Sequence, residues 1–165
     1  MTKPNLPTIA RLNELFSYCP DTGTLTRKVT TRYGAEAGTP AGYLSHGYLF
    51  VKVDQCKVSV HRIAWALYYG HYPENLIDHR DGDRSNNRIK NLRDVTKAAN
   101  NQNQRAAHVG SATGFLGVEL TRSSTFRAMI KVDGKAKYLG AYPTPEAAHD
   151  AYLRAKRVLH SSCTI

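Results

Sequence analysis

Asp78 and His79 stand together at the end of a short apolar stretch; Asn91 follows a long polar loop, and Asn100 lies further on. Asp78 and Asn100 offer two hard oxygen ligands, which suit Mg2+ or Mn2+ holding several waters and a phosphate. His79 beside such an ion, with an ordinary pKa near neutrality, can take a proton from an attacking water. The side-chain carbonyl of Asn91 can hydrogen-bond the imidazole and fix which nitrogen is free. Such a set supports metal-assisted hydrolysis of a phosphodiester. Asn86, Asn87, Asn101 and Asn103 lie close to the chosen asparagines, and spacing alone does not exclude a shift. Asn91 is preferred because Leu92 continues a strand, and Asn100 because it lies one turn inside a helix capped by Thr96. Asp81, Asp83 and Ser85 alternate as in a calcium loop, but an EF-hand would need Gly at Asn86 and Glu at Leu92.

The elements that must position these residues are short. Leu76–His79 reads as a strand, Arg80–Arg88 as a polar loop, Ile89–Val95 as a second strand, and Thr96 caps a helix through Ala98, Ala99 and Asn100. This strand-loop-strand-helix unit has little core of its own, so a metal or a strong neighbour must hold it. Upstream, Ile9, Leu12, Leu15 and Phe16 predict a helix over residues 8–17 after Thr8, then a strand over Thr24–Val29. Residues 31–47 read as a Gly-rich loop with brief extended pieces. Tyr48–Val53 and Lys57–Val60 form a hairpin around Asp54-Gln55. A helix follows with Ile63, Ala64, Leu67 and Tyr68 on one face, ended by Gly70.

Residues 105–114 read as a linker. After it, Phe115–Leu120, Thr125–Val132 and Lys135–Tyr142 predict three strands, the last two joined by Asp133-Gly134. Thr144 and Pro145 open a helix with Ala147, Ala148, Ala151, Tyr152, Ala155 and Leu159 on one face. Small residues let a helix lie close to a sheet. The expected class is α+β: a domain over residues 1–104 with its strand-loop-strand-helix core at about 75–104, and a three-stranded antiparallel sheet on one helix over 115–165.

The chain has 165 residues, 41% of them apolar, and a formal net charge of +10. The excess is +6 over residues 1–112 and +4 over residues 113–165. A surplus spread over folded sequence points to a polyanion partner more than to a basic tail. Cys19, Cys56 and Cys163 are isolated and form no C-x-x-C pair, so a disulfide framework and a thiolate zinc site are both disfavoured, and buried free thiols are expected. No apolar run approaches a membrane span, and MTKPNLPTIA is not a signal peptide, so an intracellular, cytoplasmic protein is expected.

The ordered combination in VHRIAWALYYGHYPENLIDHRDGDRSNNRIKNLRDVTKAANNQN, Val60 to Asn103, resembles the HNH endonucleases, in particular the His-Asn-Asn subgroup of phages and mobile introns. The upstream SYCPDTGTLTRK resembles the usual lead-in to these proteins. By that resemblance the core is a ββα-metal motif: His79 is the general base, Asp78 and Asn100 ligate one divalent ion, Mg2+ or Mn2+, and Asn91 orients His79. The metal would stabilise the scissile phosphate and the leaving 3′-oxygen, leaving 5′-phosphate and 3′-hydroxyl ends. His61 matches the V-H-R pattern, as a packing, phosphate-contacting or catalytic histidine. Arg62, Arg80, Arg84, Arg88 and Arg93 are candidates for phosphate contacts. Phage or bacterial origin and homing-type activity are what the resemblance implies.

Gly117-Val118, Phe126-Arg127-Ala128, Ile130, Tyr138-Leu139-Gly140 and Thr144–Tyr152 resemble the AP2 DNA-binding domain, whose sheet enters the major groove. The implied contacts are Arg122, Arg127, Lys131, Lys135, Lys137 and Tyr138, with Phe126 interleaved. Arg127, Met129 and Lys131 alternate against Ala128 and Ile130, so a basic face can meet DNA while an apolar face meets the helix. Glu119 stands where that family often has a base-reading Arg, and Phe126 where it often has Trp, which favours phosphate contacts over base reading. The expected partner is double-stranded DNA, with the chain a monomer or homodimer and no small-molecule cofactor. A binding protein with a vestigial nuclease fold is the alternative.

Overall fold

The computed structural model describes residues 6–32, 34–160 and 163; the opening residues 1–5, on which the leader reading partly rests, lie outside them. Among the described residues there are four α-helices and four small antiparallel sheets, a mixed α+β architecture. The chain divides into two compact units, Met1–Thr96 and Lys97–Ile165. No described helix is long and apolar enough to cross a membrane.

The first unit opens with α1 (Ile9–Leu15), capped by Thr8, whose side chain accepts from the Arg11 amide at 3.2 Å. The helix is shorter than its periodicity predicts. Phe16 leaves it with extended backbone and starts β1 (Phe16–Tyr18), which pairs with β2 (Leu25–Arg27). A three-stranded sheet follows in the order β3 (Tyr43–Ser45), β4 (Tyr48–Val53), β5 (Cys56–Ser59). Strand β3 lies where brief extended pieces are expected within residues 31–47. The turn between β4 and β5 puts Asp54 and Gln55 at φ of 45° and 72°, the left-handed pair that a two-residue hairpin demands. Alternation then divides the sheet. Val51, Val53 and Val58 are buried with Leu12, Phe16 and Leu25, leaving Tyr48, Phe50 and Lys52 on the other face.

Helix α2 (Val60–Tyr69) runs from Ser59 to Gly70, which is left-handed at φ 76°. The hairpin of interest is β6 (Leu76–His79) with β7 (Leu92–Val95), in the register Asp78 opposite Arg93 and His79 opposite Leu92. The second strand begins later than expected. Ile89–Asn91 is a 3-10 turn, because the Ile89 amide turns to the Pro20 carbonyl (3.1 Å) and the Asn91 amide to that of Arg88 (2.9 Å). Behind the hairpin lies a small apolar cluster of Ala64, Ile77, Ile89 and Leu92, with Tyr18 and Trp65 packed on it. Tyr18 also packs on the main cluster, so the weak hairpin borrows its support from the N-terminal strands.

The second unit contains α3 (Lys97–Gln102), which buries no residue, then β8 (Val118–Leu120), β9 (Phe126–Val132) and β10 (Lys135–Tyr142) in one antiparallel sheet. Helix α4 (Pro145–Leu159) is capped by Thr144 and packs Ala148 and Ala151 against Val118 and Ala128. A Cβ on Gly117 would come within 2.0 Å of the Tyr152 ring, so glycine there sets how closely helix and sheet approach. Lys156 is 0% exposed, its ammonium donating to the Gln104 carbonyl. That tether joins the segment after α3 to α4, in a chain whose expected first domain runs to residue 104. The thiols differ from expectation too: Cys19 is exposed, while Cys56 and Cys163 are half-buried.

Candidate active site

The β6–β7 hairpin holds its polar residues inward. Asp78 is 9% exposed, His79 4%, Asn87 1% and Asn91 9%. Four buried polar side chains within so small a unit must find partners, since an unpaired buried polar group costs about 1–3 kcal/mol. Their partners define the site.

Asp78 faces Arg93 across the hairpin. The guanidinium donates from Nε (2.8 Å) and Nη2 (2.7 Å), both to Asp78 Oδ2. Arg93, a candidate phosphate contact by sequence, is thus engaged with the carboxylate beside the candidate base. Its place opposite Asp78 follows from the register alone.

His79 Nε2 lies 3.3 Å from Asn87 Oδ1. The Asn87 amide is oriented by its Nδ2, which donates to the Ser85 carbonyl at 3.2 Å. An amide oxygen can only accept, so Nε2 carries the proton and Nδ1 the lone pair of the neutral ring. Burial lowers the His79 pKa, an effect that the bond to Asn87 partly opposes. The ring is therefore neutral near pH 7, the form a proton acceptor needs.

Here the sequence reading of Asn91 requires correction. Its Oδ1 accepts from the Asp81 amide (3.1 Å), and its Nδ2 donates to Asp81 Oδ1 (2.9 Å) and the Asn86 carbonyl (2.8 Å). Those bonds close the loop over residues 81–86, and the imidazole partner is Asn87 instead. The physical reason is the 3-10 turn, which puts Asn91 beneath the loop and not beside the ring. Burial pushes Asp81 up, but its bonds to Asn86 and Asn91 outweigh that and hold it below the usual carboxylate range.

Asn87 is itself braced from upstream. The Tyr18 hydroxyl donates to its carbonyl at 2.7 Å. Gly23, at φ 76°, lies so close that an added Cβ would stand 2.5 Å from the Arg88 nitrogen and 2.6 Å from the Asn87 carbonyl carbon. No sequence motif flags this role for Asn87; its only sign is membership of the Asn-rich run.

His61 is not at the surface as a phosphate-contacting residue would be. It is half-buried, its ring 5.3 Å from that of His79 and 5.4 Å from that of Tyr48. Nε2 lies 3.0 Å from the Ser59 hydroxyl, while buried Nδ1 has no hydrogen-bond partner among the described residues. Burial, then the neighbouring His79 and Arg62, push its pKa down to about 3.

The remaining sequence candidates belong to both units. Arg62 donates to the carbonyls of Asn75 and Pro73. Arg84 is exposed, its guanidinium 5.0 Å from the Tyr48 ring centre. Arg80 and Arg88 are exposed. Asn100 lies on α3 of the second unit, half-buried. On the β8–β10 sheet, Arg122, Lys131, Lys135, Lys137 and Tyr138 are exposed, and Arg127 donates to Glu119 Oε2 from Nε (2.8 Å) and Nη2 (2.5 Å).

Among the described residues, no cluster of three or more His, Cys, Asp or Glu side chains stands ready for a metal. The sequence-predicted pair is of another kind, one carboxylate and one amide. In the first unit, buried Asp78 supplies a hard oxygen donor one residue before His79, a donor type that fits a hydrated divalent ion.

Residues 58–102 match the family model for HNH endonucleases, a stretch that contains Asp78, His79, Asn87, Asn91 and Asn100 and is of nuclease type. No curated protein and no solved structure matches the chain.

Proposed function

We propose that the chain is a metal-dependent DNA endonuclease of the homing type, in which His79 is the general base. The observation that carries this reading is the buried His79, whose Nε2 is committed to Asn87 and whose Nδ1 holds the lone pair, inside the stretch that matches HNH endonucleases. Nδ1 takes the proton of the attacking water, and Asn87 holds the ring in that tautomer. Asp78 and Asn100 would hold one divalent ion, Mg2+ in the first instance, which supplies charge stabilisation at the phosphate. Arg93 keeps the Asp78 carboxylate in place. Asn91 closes the loop that carries Asn87.

The second unit is proposed as an AP2-like DNA-binding module, its β8–β10 sheet facing the duplex through Lys131, Lys135, Lys137, Arg122 and Tyr138. A +10 chain suits a duplex partner.

The test is cleavage of supercoiled plasmid with Mg2+ and with EDTA, for wild type and His79→Ala. Open circles or linear DNA formed only with metal and only by wild type support the assignment. A second reading, a non-catalytic DNA-binding protein, draws on Arg93, which occupies a carboxylate oxygen of Asp78. It replaces the first if wild type binds a broad DNA panel tightly and cuts none of it.

A further inference from the structure

We propose that the outer face of the β3–β4–β5 sheet is a seat for the sugar-phosphate backbone of a DNA duplex, leading it toward His79; this rests on the nuclease reading above. The face is defined by alternation on β4, which puts Tyr48, Phe50 and Lys52 opposite the buried valines. Its rings form a continuous series. Tyr43 and Phe50 lie 6.3 Å apart, Phe50 and Tyr48 6.5 Å, and Tyr48 and His79 5.9 Å. The series ends at the candidate base.

Cations accompany these rings. The Lys57 ammonium sits 4.1 Å from the centre of Phe50 and 5.6 Å from that of Tyr43, and Arg84 stands over Tyr48. Lys52 and Lys57 are directly opposite each other in the β4–β5 register, and both are exposed. Like charges directly opposite in a sheet destabilise it. The acid at the adjoining turn does not relieve them, because Asp54 is held by Arg11 through bonds of 2.9 and 3.1 Å. Among the described residues neither lysine forms an ion pair. An uncompensated lysine pair on a half-aromatic face, running into a phosphodiesterase-type site, is complementary to a phosphate backbone. Tyr43, 50% exposed, adds an uncharged side chain of a type that contacts phosphate and sugar.

Lys52→Gln/Lys57→Gln and Tyr43→Ala, each in the full chain, test this by fluorescence anisotropy on duplex DNA in EDTA, across a salt series. The lysine variant should bind roughly tenfold more weakly near 0.1 M salt, and its slope of log affinity against log salt should be smaller by about 2. Its thermal midpoint should stay close to that of wild type, since relief of the like-charge pair offsets loss of the Lys57–Phe50 contact. Tyr43→Ala should weaken binding with no change of slope. Wild-type affinity and slope in the lysine variant overturn the proposal, as does preference for RNA in competition. Binding is read without metal, so a wild type that never cuts DNA overturns the nuclease reading while leaving this result to stand or fall by itself.

Discussion

Tyr18 and Asn87, 69 positions apart in the chain, are joined by a 2.7 Å hydrogen bond from the phenol to a backbone carbonyl. The N-terminal β1–β2 turn thereby fixes the residue that holds His79. Tyr18→Phe keeps the ring between the two apolar clusters and removes only the donor. It should cost about 1 kcal/mol of stability and lower kcat several-fold with KM unchanged. Gly23→Ala should cost more, at least about 2 kcal/mol, because its Cβ would meet backbone that cannot step aside. Thermal melts and plasmid-nicking kinetics on the two variants check both; wild-type kinetics in Tyr18→Phe would remove the turn from the mechanism.

Asn87 and Asn91 should fail in different ways. Asn91→Ala loses bonds to Asp81 and Asn86 and should destabilise the unit by about 1–3 kcal/mol, with activity lost through the disordered loop. Asn87→Ala should destabilise by a similar amount, because it takes the Asn87 acceptor from the buried His79 Nε2–H. It should nevertheless keep the loop closed and cut at least about tenfold more slowly, since the ring is no longer held in one tautomer. Nitrogen chemical shifts of the His79 ring read that tautomer directly. An unchanged Nε2–H signal in Asn87→Ala would overturn the assignment.

His61 should give the fold an acid-sensitive limb. Its ordinary pKa is 6.5, and packing against Tyr48 and His79, with Arg62 nearby, takes it to about 3. Between those values the unfolded chain binds a proton that the folded chain refuses, so stability rises with pH. The contribution is complete above the unfolded value and is lost as pH falls from about 6.5 toward 3. His61→Phe, which keeps the ring and removes the proton, should flatten the denaturation midpoint over that range. A slope equal to that of wild type would show that other groups carry the limb.

On the second sheet, Glu119 and Arg127 neutralise each other across β8 and β9. Glu119→Gln releases the guanidinium and removes a negative charge from a surface proposed to face DNA. Duplex affinity should rise a few-fold, and the salt slope should steepen by about 1. Unchanged affinity in the same anisotropy assay would take this face of the sheet out of the interface.

What could be read from the sequence was local chemistry. Gly70 ends α2, Asp133-Gly134 turns β9 into β10, Thr144-Pro145 opens α4, and β9 alternates Arg127 and Lys131 outward against Ala128 and Ile130. Each signal is complete within a few residues. The pairing of Asp78 with Arg93 was hidden because it depends on register across the Arg80–Arg88 loop, and loop residues do not announce how many of them the turn consumes. Asn87 does not stand out from Asn91 in sequence because the contacts that fix it come from Tyr18, Pro20 and Gly23 far upstream. Lys156 is on the stripe side of α4 by periodicity, yet a lysine reads as surface until the Gln104 carbonyl is seen to receive it. Strand β3, only three residues long and among glycines, carries enough pattern for a brief extended piece but too little to fix its bounds.

The guanidinium that faces Asp78 also bears on timing. A buried carboxylate whose charge is already balanced does not wait for a metal in order to fold, unlike sites whose anions repel one another until an ion arrives. Chelation should therefore leave the melting midpoint nearly unmoved while silencing cleavage, and returning Mg2+ should restart it at once, with no refolding lag. A chain built this way can be made, carried and kept dormant as a finished structure, its onset limited only by arrival of ion and substrate.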